Sequence, residues 1–217
     1  LPWATDRYDL SGLEKPKTKL LLNVADPDQA LHHSRLPADG VDLARLEFII
    51  NNSIRIHPRA LLEYETLNAK DKEKIDPIIA GYSSPRDFFV LRLAEGIGTI
   101  AAAFHPRPVV VRTSDFKSNE YAALIGGHCF EPQEENPMLG FRGASRYFSP
   151  TFSEAFSLEC DALREVREGM GLDNVIPMIP FVRTVEEGVN VLELMKDHGL
   201  ERGRQGLKVY LMCELPV

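Results

Sequence analysis

"RPVVVRTSDFKSNEY", residues 107–121, sets three consecutive valines in front of Arg112 and then changes at once to small polar and charged residues. The valines read as a strand, and the change of composition marks its end. Outward from this strand the same grammar repeats. Upstream, "KLLLNV" (19–24) is a short apolar run closed by "ADPD", followed by a possible helix in "DQALHHSRL" and a turn at 37–40. "VDLARLEFII" is the second strand, "HPRALLEYE" is a helix with Pro58 in its first turn, and a longer helix spans about Ser84 to Phe104. Downstream, "ENPMLGFRG" is a weaker, glycine-broken fourth strand. "TFSEAFSLECDALREVREG" (151–169) is a helix, "VIPMIPFV" (175–182) a fifth strand, "TVEEGVNVLELMKDHG" another helix and "GLKVYLMCEL" a sixth strand. Strands alternating with helices specify an α/β fold with a parallel sheet and helices outside it.

Composition narrows the partners. The chain has 217 residues, 44% hydrophobic and 26% charged, enough for one sizeable core in residues 18–217 behind a leading linker at 1–17. A net charge of -7 argues against a nucleic-acid partner. Three cysteines without C-x-x-C spacing, together with the lack of a long apolar run, lead to the expectation of a cytoplasmic protein with no membrane contact. Six strands of a β/α series do not close an eight-stranded barrel, so the chain reads as one cut short at Val217.

Ligands of parallel β/α folds bind beyond the carboxyl ends of the strands. Arg45 and Glu47 lie late in the second strand, Arg112 ends the third, Arg142 the fourth and Glu214 the sixth. By parity Arg45 and Glu47 share a face, while Asp42 turns away from Arg45 towards the helices. In the last strand Leu207, Val209, Leu211 and Cys213 form one face, leaving Glu214 pointing inward with Lys208, Tyr210 and Met212. Three guanidinium groups converging on one mouth repel unless an anion joins them, and their planar donor forks suit phosphate or carboxylate. A carboxylate among phosphate-binding arginines is what a Mg2+ site requires. Arginines plus metal point to phosphoryl transfer. Lys117, Asn119 and Glu120 come after Arg112 and either bind substrate or cap a helix. His32 and His33 read as surface residues and His57 as the start of a helix, whereas His128 beside Cys129 lacks further ligands at metal spacing in the sequence. "EGIGTIA" (95–101) imitates a dinucleotide-binding fingerprint but comes after no strand.

Five ordered stretches, "LARLEF" (43–48), "VRTSDFKSNEYAALIGG" (111–127), "EENPMLGFRGASRY" (134–147), "MGLDNVIPMIPFVRT" (170–184) and "GLKVYLMCELP" (206–216), resemble the phosphoenolpyruvate synthases (pyruvate, water dikinases). The resemblance covers nearly all of the chain after about residue 18. It implies a (β/α)8 TIM barrel of the phosphoenolpyruvate/pyruvate type, with about the first six strands present. It further implies that Arg45, Arg112 and Arg142 bind the phosphate and neutralise the phosphoryl group in flight. Glu214 would be a Mg2+ ligand, and Glu47 would orient Arg45. Asn119 and Glu120 would lie in a loop characteristic of the synthases.

The parent reaction implied is ATP, pyruvate and water to AMP, phosphoenolpyruvate and phosphate. The phosphoryl group would come from a phosphohistidine domain which, like the nucleotide-binding domain, belongs to the same parent chain. A homodimer is expected, because barrels of this group commonly associate. The family's second metal carboxylate and catalytic cysteine would lie beyond Val217, so the isolated chain is expected to be inactive. Two other readings fit the same residues: a metal-dependent enolate lyase of the same superfamily, and a noncatalytic barrel remnant serving dimerisation.

Overall fold

The computed structural model describes Gly12 and residues 14–216. The expected linker at 1–17 lies largely outside them. Five strands form one wholly parallel sheet: β1 (Leu21–Val24), β2 (Gly40–Arg45), β3 (Val109–Arg112), β4 (Val175–Ile179) and β5 (Tyr210–Leu211). Their order in the sheet is their order in the chain, so the connections advance in one direction without a topological switch. β1 and β5 are the two edges, and Leu21, Tyr210 and Leu211 are exposed there.

The helices are α1 (Ala30–His33), α2 (Leu46–Ile49), α3 (Pro58–Leu62), α4 (Ala69–Ile79), α5 (Pro85–Phe104), α6 (Ser118–Ala123), α7 (Ala144–Tyr147), α8 (Ser153–Arg164) and α9 (Val185–Asp197). α5 is the scaffold of the helical layer. Ser84 caps it by accepting from the Asp87 amide at 3.0 Å, and Pro85 occupies its first turn. Phe88, Phe89, Leu93, Ile97, Ile100 and Phe104 then repeat at helical spacing and are buried. Each such side chain contributes about 1.5–3 kcal/mol of burial. The glycines of the false nucleotide fingerprint serve this packing. A Cβ at Gly96 would meet Ile49 Cγ2 at 2.7 Å, and one at Gly98 would meet Met170 Sδ at 2.7 Å. No helix among the described residues is long and apolar enough to cross a membrane.

Three sequence expectations are corrected. First, the chain between β3 and β4 holds no strand at "ENPMLGFRG". Side chains take its backbone bonds: the Met138 amide donates to Asn136 Oδ1 at 3.2 Å and the Phe141 amide to Glu134 Oε1 at 2.9 Å. The segment is therefore a folded loop, and five strands stand where six were expected.

Second, β2 ends at Arg45, and Glu47 sits in the first turn of α2. Leu46, Ile49 and Ile50 are buried at helical spacing, which wins over strand propensity in this run. Third, Asp42 does not press on the helices. Leu22 pairs with Val41 and Asn23 with Leu43, which leaves Asp42 as the extra residue of a bulge, exposed to solvent. Parity counted across it fails.

A candidate anion-binding cleft at the carboxyl end of the sheet

Arg112 is the last residue of β3, and the turn after it is held rigidly. The Thr113 amide donates to Met178 O at 3.0 Å, continuing the ladder to β4, and Tyr147 Oη donates to Ser114 O at 2.6 Å. Behind the turn lies Glu159 of α8, fully buried, accepting from the Ser114 amide at 3.0 Å and from the Ser114 hydroxyl. Burial pushes its carboxyl up to about 7, although both Ser114 bonds favour the charged form. These contacts place Asp115, which is absent from the sequence-based candidates, three residues beyond Arg112.

Asp115 is the hub of the site. Its carboxylate accepts from Arg142 in a two-point fork, Nε to Oδ1 at 2.6 Å and Nη2 to Oδ2 at 3.0 Å, and lies 3.2 Å from Arg112 Nη1. Its amide donates to Glu47 Oε1 at 2.5 Å, and Glu47 Oε1 also accepts from Arg112 Nη2 at 3.0 Å. Glu47 thus orients Arg112 rather than Arg45. Burial raises the Glu47 carboxyl above its ordinary range against the pull of Arg112. For Arg142, burial alone would lower the guanidinium pKa, but the Asp115 pair outweighs it and raises it.

Two carboxylates therefore relieve the repulsion among the arginines, a role that the sequence alone assigns to a bound anion. They do so incompletely. Arg112 Nε and Glu47 Oε2 are buried without a hydrogen-bond partner. Arg45 makes no salt bridge among the described residues, and its guanidinium lies 4.4 Å over the Phe48 ring. A cleft of about 360 Å3 brings together Arg45, Arg112 and Arg142 with Glu47, Asp115 and Lys117. Guanidinium groups gathered on such a cleft suit a small anion.

Arg142 reaches the cleft from the loop because Gly143 lets the backbone come close to the end of β4. Gly143 has φ +61°, and a Cβ there would meet Pro180 O at 2.6 Å. The Arg142 guanidinium stacks 4.1 Å over the Phe181 ring. Glu214 is exposed beside this point; it accepts from the Phe181 amide at 2.8 Å, and its charge is felt at Arg142. Asn119 is placed elsewhere. It is exposed on α6 and borders a separate depression of about 450 Å3 with His128 and Glu134. Glu120 lines the arginine cleft, and also caps α6 by accepting from the Lys117 amide at 2.9 Å.

A second ion-pair cluster fixes the loop that carries Arg142. Arg146 is buried and binds Glu131 at two points, 2.6 and 2.7 Å, while its Nε donates to Phe141 O at 3.0 Å. Its guanidinium lies over the rings of Tyr121, Phe141 and Phe152. Glu131 also accepts from His57 Nε2 at 3.0 Å, and the opposite nitrogen, Nδ1, accepts from the Arg59 amide at the start of α3. That bonding fits a neutral imidazole. Burial lowers the His57 pKa, in the same sense. Burial alone would raise the Glu131 carboxyl, but His57 and Arg146 together hold it below its ordinary range.

The matching family model is the PEP-binding domain of PEP-utilising enzymes, over residues 7–217. The chain belongs to this family. Similar proteins include the phosphoenolpyruvate synthase of Helicobacter pylori, 54% identical over 98% of this chain and 26% of the relative. Those of Synechocystis sp. and Escherichia coli are 57% and 55% identical, over 100% and 91% of this chain and 27% and 25% of the relatives. The chain spans about a quarter of the length of the curated relatives it matches. A PEP-binding domain needs a place for a phosphate and a carboxylate. Among its described residues this one gathers three arginines at the carboxyl end of its sheet.

Proposed function

We propose that this chain is the phosphoenolpyruvate/pyruvate-binding part of a phosphoenolpyruvate synthase and that the arginine cleft is where the substrate sits. In this reading the parallel, sequentially ordered sheet is one arc of a (β/α)8 TIM barrel, closed by further strands of the same polypeptide between β5 and β1. The observation that carries the proposal is the convergence of Arg45, Arg112 and Arg142 on one cleft, in which Arg45 has no carboxylate partner among the described residues.

Arg45, Arg112 and Arg142 hold the phosphoryl oxygens and offset the negative charge that accumulates as the group moves. The pyruvate methyl proton passes to a base, which none of the residues named here supplies, to give the enolate. The bond from phosphorus to a histidine nitrogen breaks as one from phosphorus to the enolate oxygen forms. Glu47 and Asp115 act as positioning residues, fixing Arg112 and Arg142 before substrate arrives.

Glu214 is the proposed Mg2+ ligand. Glu214 is not among the residues lining the cleft, but one of its oxygens is engaged by the Phe181 amide and its charge is felt at Arg142, which leaves a hard oxygen donor on the Arg142 side of the site. Mg2+ is commonly held by one or two carboxylates plus substrate oxygens, so this donor set fits, and the ion when bound supplies Lewis-acid stabilisation of an enolate. The length of the relatives leaves room for nucleotide-binding and phosphohistidine domains on the same polypeptide. A homodimer in the cytoplasm completes the reading.

The test uses the full-length protein and separates its partial reactions. Arg112→Ala is expected to abolish phosphoenolpyruvate formation while leaving nucleotide-dependent histidine phosphorylation in place. Loss of both together would count against a role confined to this cleft.

A further inference from the structure

A third polar cluster lies outside the cleft and is used by neither ion-pair network. Asp71, in the first turn of α4, meets the short turn at 127–129 that comes after α6. His128 Nε2 lies 3.6 Å from Asp71 Oδ2 and 3.4 Å from Cys129 Sγ, and the three donor atoms all fall within 4.8 Å of one another. Donors about 2.0–2.3 Å from a tetrahedral Zn2+ stand about 3.3–3.6 Å apart, so both short separations match a set that shares one cation.

The chemistry of the set is specific. One thiol, one imidazole and one carboxylate form the mixed sulfur, nitrogen and oxygen environment that favours Zn2+ over Mg2+ or Ca2+. Asp71 is buried, and its Oδ2 also accepts from Asn68 Nδ2 at 2.8 Å while its amide donates to Asn68 Oδ1 at 3.0 Å. A bond of this kind behind a ligating carboxylate fixes its orientation. His128 and Cys129 are exposed, so an ion has access. The exposure of two of the three donors leaves room for a fourth ligand such as water. The cation facing the cluster is Lys74, 3.8 Å from Asp71 Oδ1 and half exposed, free to swing away.

The geometry points to a Zn2+ site formed by Asp71, His128 and Cys129, with one coordination position open. Binding replaces the Cys129 thiol proton, which passes to solvent, and ties the start of α4 to the turn that leads into the Arg146-anchored loop. The site is independent of the arginine cleft and does not depend on the function proposed for it.

The test is spectroscopic and needs no activity. Co2+ is added to the full-length protein and to its Cys129→Ser and His128→Asn variants, both at exposed positions, with far-ultraviolet circular dichroism as the check on folding. The expected result is a sulfur-to-cobalt charge-transfer band in the wild type, removed by one equivalent of Zn2+. The band should be absent from the wild-type-like fold of Cys129→Ser, and His128→Asn should weaken Zn2+ binding about tenfold or more. A band of equal strength in Cys129→Ser, or no band in the wild type, overturns the assignment.

Discussion

Two arginine–carboxylate clusters stand at either end of the loop between β3 and α7, and they are built to opposite ends. The Arg146 side chain is only 1% exposed, and its guanidinium pairs with Glu131 at two points, donates to a carbonyl and is enclosed by aromatic rings. Around Arg112 the pairing with Glu47 and Asp115 leaves the Nε group buried with no acceptor, and the side chain opens into a cleft. The first cluster is closed and holds the chain together. The second is incomplete, and it borders the cleft at the carboxyl end of the sheet, where ligands of parallel β/α folds bind. The same residue types therefore make a closed cluster in one place and an open one in the other, and the function proposed here belongs to the open one.

This contrast can be broken by stability measurements. Arg146→Met leaves Glu131 buried beside a neutral His57, and should destabilise the domain by about 3–5 kcal/mol in urea unfolding. Arg112→Met also removes a cation from a mostly buried carboxylate, Glu47, but Asp115 keeps Arg142 and a repulsion among cations is relieved, so its cost should be clearly the smaller of the two. Equal costs for the two substitutions would erase the distinction between closed and open clusters.

A smaller effect sharpens the account of the turn behind Arg112. The Glu159 carboxyl is raised to about 7 in the folded protein, above its ordinary value near 4.5, so the folded state binds more protons between those values. Its contribution is most favourable below about pH 4.5 and is lost as pH rises through 7. The urea midpoint of the wild type relative to Glu159→Gln should therefore fall between pH 5 and 7.5. A difference that stays constant with pH would show that Glu159 does not titrate in this window.

Much of the fold was legible because its signals are local. The three valines of β3 and the run 175–179 are continuous apolar segments, and α5, α8 and α9 carry helical periodicity over twelve or more residues. The position of Arg112 came from the abrupt end of its strand. The errors came from short segments where two periodicities compete. "LARLEFII" holds the end of a strand and the start of a helix, and the bulge at Asp42 reverses any count of faces made across it. "ENPMLGFRG" looks extended because it is partly apolar, but Asn136 and Glu134 take its backbone donors.

The organisation of the candidate site was less legible. Glu47 reaches Arg112 across 65 residues and His57 reaches Glu131 across 74, and no spacing rule encodes such pairs. Asp115 had a weak local signal, a carboxylate three residues after the arginine at a strand end. His128 and Cys129 lacked a third ligand in the sequence because Asp71 arrives from another helix.

The central claim is that the open cluster binds phosphoenolpyruvate through Arg112. Its most direct test is a calorimetric titration of phosphoenolpyruvate into the full-length protein and its Arg112→Ala variant, with folding checked by circular dichroism. Loss of a charge-assisted contact to the ligand should weaken binding by roughly tenfold to a hundredfold. Unchanged affinity in a folded Arg112→Ala protein would contradict the account.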